Sequence, residues 1–269
     1  GPAGATRDWV ERVEVVLPCG ARVAARRGAC VSQNGVFLLE SGGAVREIPV
    51  PRFPRPAVKN AAGPFSAEDG AMDFVDFIVG SEGLYGVVVG ATLRLAPRPE
   101  ALLDFFFSLP SEDAAVAFRL ALESALGGDL GGLAACEYFG VNCRRYMDHE
   151  SRFFTGENPV AVYLQVPVAA AEADATTEAW FERLCDLGVD PDAILLLDND
   201  RDRTLFLEAR HSMPANSLEV VNRRGAFTLM TDTVVPKARF AEFLAFAHAL
   251  LAEHGIDYLA FGHLGDCHL

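Results

Sequence analysis

Of the 269 residues 51% are hydrophobic, enough to bury a real core in one large domain or two modest ones, and two are expected. Lys plus Arg number 23 against 37 Asp plus Glu, and the net charge of −14 repels phosphate backbones, which excludes nucleic acid as a partner. Apolar runs such as FFFSLP and AILLLD fall far short of the ~20 residues needed to span a bilayer, and no signal peptide opens the chain, so a soluble, cytoplasmic protein is expected.

The first residue is Gly1, and GPAGATRDWV starts as if within a loop, so the chain reads as a piece of something longer. RVEVVLPCGARVAAR holds two β-rich runs around Pro18-Cys19-Gly20 and predicts a hairpin. DFIVGSEGLYGVVVGATLRLAP predicts strand, glycine turn, strand. Pro97 and Pro99 in APRPE interrupt regular structure, which places a linker at 96–101.

Beyond the linker, strand and helix alternate. ALLDFFFSLP predicts a strand; Ser111 caps a helix over 112–126 whose first turn carries Glu112 and Asp113, where acids favour the helix dipole. NPVAVYLQVPV is a second strand, followed by a helix over 172–187 with Trp180, Phe181 and Leu184 on one face. AILLLD and TLMTDTVV predict strands, and LDNDRDR a solvated turn lacking the Gly and terminal Glu of a calcium loop. A helix over 237–254 presents Phe240, Phe243, Leu244, Ala247, Leu250 and Leu251, and IDYLAFGHL closes the chain as a strand. Such alternation, separate from an earlier all-β segment, points to an α+β second domain with a helix-covered sheet.

Three stretches carry candidate chemistry. Gly80, Gly83 and Gly86 space as GxxGxxG and run into β-branched VVVGATL, so the GxGxxG dinucleotide pattern with its following helix fails and a glycine turn is the simpler reading. In LEARHSMPANS, Arg210 stands beside His211. An arginine in a cleft donates two parallel hydrogen bonds to a carboxylate, whereas a surface arginine would merely cap a helix end; composition does not choose between them. In FGHLGDCHL, His263, Asp266 and His268 suit Zn²⁺, Mn²⁺ or Fe²⁺ as ligand types. On a straight strand two residues five apart face opposite sides, so both histidines can serve one site only if the chain bends at Gly265-Asp266. His149, His248 and His254 have no partner legible in sequence and are expected to be structural or exposed. Six cysteines, Cys19, Cys30, Cys136, Cys143, Cys185 and Cys267, form no CxxC pair and are expected as buried small hydrophobes.

VKNAAGPFSAEDGAMDFVDFIVGSEGLYGVVVGATLRLAPRPE resembles the end of the FAD-binding domain of the FAD-linked oxidase family, which includes the D-lactate and D-2-hydroxyglutarate dehydrogenases, the GlcD-type chain of glycolate oxidase and alkyl-dihydroxyacetonephosphate synthase. TRDWVERVEVVLPCG is similar to the family's earlier strand pair, and RHSMPANSLEVV, TDTVVP and FGHLGDCHL to its C-terminal oxidase domain. The fold so implied is α+β: the C-terminal part of a vanillyl-alcohol-oxidase/PCMH-type FAD-binding domain over 1–98, then an incomplete ferredoxin-like α+β substrate (cap) domain over 99–269.

The resemblance implies that Glu82, Gly83, Leu84, Tyr85, Gly86, Val87 and Val88 line FAD, mostly through backbone, with Leu84 and Tyr85 departing from the usual Thr and Leu; Lys59, Asn60 and Gly63 match a further stretch near the flavin. It implies Arg210 against a substrate carboxylate, with His211 in support and His263 as a ligand of a divalent metal. His268 falls on the family's usual Asn, Asp266 on a turn-orienting position, and the second metal histidine would come just past Leu269. Where the hydroxy-acid dehydrogenases carry a Thr and a Lys, this chain has Pro214 and Met230, which leaves the substrate open. The expected activity is oxidation of a small 2-hydroxy acid such as D-lactate, glycolate or D-2-hydroxyglutarate by hydride transfer to flavin N5. The electron acceptor is not legible, and a homo-oligomer is compatible. An alkyl-glycerone-phosphate-synthase-like flavin transferase and a truncated, non-catalytic binding module are the competing readings.

Overall fold

The structure is a computed structural model and describes residues 4–41, 43–50, 53–60, 63, 66–67 and 69–269. These divide into two compact units, Gly4–Pro97 and Arg98–Leu269.

In the first unit, β1 (Val10–Val16) turns Val10, Val13 and Val15 into the core and pairs antiparallel with β2 (Arg22–Arg26), from Arg12 opposite Arg26 to Val16 opposite Arg22. The hairpin expected from RVEVVLPCGARVAAR is present: the Leu17 N–H donates to Ala21 O at 2.9 Å and Gly20 takes φ 80°, which a side chain would disfavour. A second hairpin joins β3 (Val36–Ser41) to β4 (Ala44–Pro49). DFIV, expected as a strand, is instead helix α1 (Phe74–Ile78). Asp73 caps it, accepting from the Val75 N–H at 2.8 Å, and Phe74, Val75, Phe77 and Ile78 are all buried, a helical spacing rather than an alternating one. Their rings meet Phe37, and Tyr85 stacks on Phe77 at 4.2 Å. VVVGATL is a strand as expected: β5 (Val87–Leu93) pairs antiparallel with the other side of β1. Arg27 and Arg55 meet Asp76 at 3.1 and 3.3 Å, and the buried Arg7 donates to Val79 O at 2.8 Å.

The second unit runs β6 (Ala101–Leu109), α2 (Glu112–Ala125), β7 (Ala135–Phe139), the short α3 (Cys143–Tyr146), β8 (Val160–Val168), α4 (Ala173–Asp186), β9 (Ile194–Leu196), α5 (Asp200–Arg224), α6 (Phe240–Glu253) and β10 (Phe261–His263). Its sheet has the order β10-β7-β8-β6-β9 with every neighbouring pair antiparallel. The run β6-α2-β7-β8-α4-β9 with spatial order β9-β6-β8-β7 is the ferredoxin-like arrangement, extended at the β7 edge by β10. Ser111 caps α2 as expected, its Oγ accepting from the Ala114 N–H at 3.1 Å.

Strand alternation divides the side chains between the two faces of this sheet. Leu103, Phe105, Phe107, Cys136, Tyr138, Val162 and Leu164 pack with residues of α2, α4 and α6, including Phe118, Trp180 and Leu244. Phe106, Phe139 and Ala161 face the other way and pack with Phe206, Ala209 and Met213 of α5.

Several local expectations fail for identifiable reasons. LDNDRDR is not a solvated turn: Asn199 caps α5, accepting from the Asp202 N–H at 2.9 Å, and the acids after it form the helix's first turn. TLMTDTVV forms no strand; Phe227, Leu229 and Met230 are exposed, and pairing begins only where Thr233 exchanges backbone hydrogen bonds with Leu269. Phe181 lies on the outer side of α4, 40% exposed, while Trp180 and Leu184 are buried. Phe243, Ala247 and Leu251 of α6 are partly exposed and Leu250 is exposed, so only Phe240 and Leu244 reach the core. The closing strand shrinks to Phe261–His263. All six cysteines are free thiols, but only Cys136, Cys143 and Cys267 are buried, and Cys19 is exposed. Burial pushes the Cys136 and Cys143 thiols up to about 12, so they pack as inert small hydrophobes.

Candidate active site

One rung of the second unit's sheet collects the polar residues of interest. His263 on β10 lies opposite Glu137 on β7, Glu137 opposite Tyr163 on β8, and Tyr163 opposite Phe106 on β6. Opposed residues share a face, so His263 and Glu137 stand on the side covered by α5.

Above them, Arg203, Phe206, Arg210 and Met213 recur at three- and four-residue spacing and turn inward from α5. Arg203 and Arg210, two turns apart, each meet an acid on the sheet. Arg203 Nε donates to Asp104 Oδ2 at 2.8 Å, and Arg210 Nη2 donates to Glu137 Oε2 at 2.8 Å. Pro214 lies four residues beyond Arg210 and has no N–H to give the Arg210 carbonyl, so the helix ladder is interrupted at the arginine.

Glu137 is the hub. Its Oε1 lies 2.6 Å from His263 Nδ1 while its Oε2 accepts from Arg210. Burial would push this carboxyl up, but the hydrogen bonds from His263 and Arg210 outweigh it and hold Glu137 below the usual glutamate range. An ionised carboxylate only accepts, so His263 carries a hydrogen on Nδ1 and turns Nε2 away from Glu137.

The chain then reverses sharply. Leu264–Asp266 form one 3-10 turn, Cys267 takes φ 53°, and the His263 and His268 backbones exchange hydrogen bonds at 2.8 and 3.2 Å. The bend expected at Gly265-Asp266 is therefore present, and it brings the two imidazoles to 5.5 Å between ring centres. Arg119 of α2, fully buried, secures the turn: its Nε donates to Leu264 O at 3.0 Å. His268 Nε2 is hydrogen-bonded to Asp232 Oδ1.

Arg210 and His263 are thus brought together by a residue that no sequence motif marks. Glu137 in ACEYF stands in an ordinary strand, and only its place on the α5-covered face could have flagged it. His211 stays outside the group, on the exposed side of α5. His248, expected to be structural or exposed, is structural: it lies 2.7 Å from Glu112 Oε1 and 2.5 Å from the Tyr258 hydroxyl and ties α6 to α2. Among the described residues no group of three His, Cys, Asp or Glu side chains converges on a metal position, so His263 with its Nδ1 braced offers one ligand rather than a complete set.

In the first unit, Gly80, Gly83 and Gly86 serve a turn between α1 and β5, with Glu82 and Gly83 both left-handed at φ 52° and 80°. A Cβ on Gly86 would stand 2.6 Å from Val16 O, so this glycine lets β5 approach β1, whereas nothing lies within 4 Å of one on Gly83. The Tyr85 ring is committed to Phe77, leaving its backbone to any ligand. Leu84, Val87 and Val88 are exposed. Lys59 and Asn60 close the described run 53–60, Gly63 stands between residues outside the described set, and Asn60 Nδ2 donates to Val58 O at 2.9 Å.

A profile of the FAD-linked oxidases, C-terminal domain, matches residues 110–269. The chain belongs to this family. It is 23% identical over 272 residues to glycolate oxidase subunit GlcD of Bacillus subtilis, covering 99% of this chain and 47% of that protein. It is 26% identical over 270 residues to D-2-hydroxyglutarate dehydrogenase of Xanthomonas citri pv. viticola, again covering 99% and 47%. This FAD-linked oxidase chain therefore spans about half the length of the curated relatives it matches. Among solved structures, p-cresol methylhydroxylase with substrate bound superposes with a TM-score of 0.56 at 14% identity, over 94% of this chain and 48% of that one. Alkyldihydroxyacetonephosphate synthase gives 0.51 at 14% identity, over 93% and 42%. At such identities these likenesses show the fold: α+β, of the PCMH type. No helix among the described residues is long and apolar enough to cross a membrane.

Proposed function

We propose that this FAD-linked oxidase chain is part of an oxidoreductase acting on a small 2-hydroxy acid such as D-lactate, glycolate or D-2-hydroxyglutarate. The observation that carries the reading is the pairing of Arg210 and His263 through Glu137. Arg210 spends one N–H on Glu137, and its remaining donors are the bidentate partner a substrate carboxylate requires. Glu137 fixes the guanidinium and the imidazole relative to each other, so that a carboxylate on the first leaves the neighbouring hydroxyl near the second. His263 engages that end of the substrate through Nε2, the nitrogen turned away from Glu137.

Glu82, Gly83, Leu84, Tyr85, Gly86, Val87 and Val88 would hold FAD, through the turn backbone and the apolar strand. When bound, FAD supplies the acceptor for the hydride that leaves the α-carbon. A divalent cation taking His263 as a ligand would lower the pKa of the substrate hydroxyl. The reading is tested by loading the protein with FAD and measuring turnover of D-lactate, glycolate and D-2-hydroxyglutarate. Arg210→Ala should raise KM by the loss of a charge-assisted pair, about 2–4 kcal/mol. Unchanged kinetics would remove Arg210 from the site, and a protein of the relatives' full length that takes up no flavin would sink the reading as a whole.

A further inference from the structure

We propose that Tyr258 is a redox-active tyrosine: an outer-sphere one-electron oxidant takes an electron from its ring while the hydroxyl proton passes to His248. The pair shares no residue with the functional reading, so either can fail without the other.

Four polar side chains form one run of hydrogen bonds across β7, α2, α6 and the segment that leads into β10. The Tyr138 hydroxyl donates to Glu112 Oε2 at 2.5 Å, Glu112 Oε1 lies 2.7 Å from His248 Nε2, and His248 Nδ1 lies 2.5 Å from the Tyr258 hydroxyl. An ionised carboxylate only accepts, so His248 carries a hydrogen on Nε2. In the neutral ring, Nδ1 then accepts from the Tyr258 hydroxyl. The two rings are 27° from parallel with centres 5.4 Å apart, which holds the donor against its acceptor. Burial, with the nearby Glu112 charge, raises the Tyr258 hydroxyl above the ordinary tyrosine range, so the phenol keeps its proton at neutral pH.

Loss of an electron from the ring reverses that preference. The oxidised phenol is a strong acid: its O–H bond breaks, an N–H bond forms at Nδ1 of His248, and the electron leaves with the oxidant. The product is a neutral phenoxyl radical beside an imidazolium whose new charge faces the Glu112 carboxylate. The proton travels along a hydrogen bond that already exists, so no heavy atom has to be brought into place. Tyr258 is only half-buried and His248 is 22% exposed, which lets a small oxidant reach the pair.

The other oxidisable rings are set differently. A guanidinium stands over Trp9, Trp180 and Tyr146 at 4.9, 4.8 and 5.2 Å, and a cation on the ring face opposes a positive hole in it. Tyr138 and Tyr163 donate to Glu112 and Asp104, and a carboxylate is a weaker base than imidazole by about two pH units. Among the described residues no other tyrosine hydroxyl is hydrogen-bonded to an imidazole.

The test is flash oxidation of the 269-residue chain, without flavin, by photogenerated tris(bipyridine)ruthenium(III), followed by transient absorption and electron paramagnetic resonance. A phenoxyl radical should form, vanish in Tyr258→Phe and persist in Tyr85→Phe and Tyr146→Phe. Its formation should slow in D₂O, and should slow at least about tenfold in His248→Gln, which keeps an acceptor oxygen but no base. Circular dichroism confirms that each variant is folded. An indole radical instead, a phenoxyl signal that survives Tyr258→Phe, or a wild-type rate in folded His248→Gln would overturn the proposal. Where His248→Gln does not fold, the parent chain decides, and equal rates in H₂O and D₂O overturn it.

Discussion

Removing the charge on Glu137 gives the sharpest check that the Arg210–Glu137–His263 group is an energetic unit. The side chain is 12% exposed and receives Arg210 at 2.8 Å and His263 at 2.6 Å. A hydrogen bond to a charged group contributes about 1.5–3 kcal/mol when well buried. Here the partners are 34% and 37% exposed, so solvent screening brings each contact toward about 1 kcal/mol. Glu137→Gln keeps the shape and loses the charge, and should cost about 1–3 kcal/mol; Arg210→Met should cost about 1 kcal/mol. The double variant should lose less than the sum, with a coupling on the order of 1 kcal/mol. The assay is urea unfolding of the four proteins, with thermal scans alongside, in which about 2–4 °C corresponds to each kcal/mol for a unit of this size. Additivity within about 0.3 kcal/mol would show that the contact does not couple the two residues, and with it would go the argument that Glu137 fixes their relation.

Gly86→Ala should destabilise the first unit by about 1–3 kcal/mol, because the new methyl meets Val16 O and Val15 Cγ1 at 2.6 and 2.8 Å, while Gly83→Ala meets nothing within 4 Å and should cost about 1 kcal/mol for its left-handed backbone alone. Equal losses in the two unfolding curves would show that β5 does not need its close approach to β1. Burial pushes the Glu123 carboxyl up, but Lys237 and Arg119 outweigh it and hold Glu123 below the ordinary range. With the folded value depressed, its contribution is present above the unfolded value of ~4.3 and disappears as the pH falls through the folded one. The stability gap between the wild type and Glu123→Gln should therefore close on acidification, and a gap that holds or widens below about pH 3 would contradict the assignment.

The second unit was legible in sequence wherever local periodicity and tertiary environment agree. ALLDFFFSLP and NPVAVYLQVPV are continuous apolar runs because β6 and β8 are central strands with both faces covered, and Ser111 is a cap by chemistry alone. Errors arose where one environment overrode local pattern. DFIV has the composition of a strand but is capped by Asp73 and buried on a helical spacing, and the acids of LDNDRDR read as solvated when they begin a 25-residue helix. In the candidate site, Arg210 and His263 were reachable through motif resemblance, but their hub was not. Glu137 becomes visible only when the register places it opposite His263 and beneath α5.

The same helix face holds a second arginine–acid pair, and the two differ in what they leave open. Asp104 is 4% exposed and its carboxylate is closed: Tyr163 donates at 2.6 Å, Gln165 at 2.8 Å and Arg203 at 2.8 Å, all within the unit. A buried charge so paired is compensated within the fold and leaves little capacity for a ligand. The Glu137 carboxylate accepts from two donors, Arg210 and His263, and these partners keep capacity of their own. Arg210 keeps N–H groups beyond the one on Glu137, His263 keeps Nε2, and the neighbouring His268 keeps a buried lone pair without a partner among the described residues. Arg210 and His263 are about a third exposed, so water meets their remaining capacity, whereas the buried His268 Nδ1 carries the cost of an orphaned group, about 1–3 kcal/mol. The open end of the polar rung, toward β10 and the 264–267 turn, is therefore where a ligand would restore what the Asp104 cluster already has.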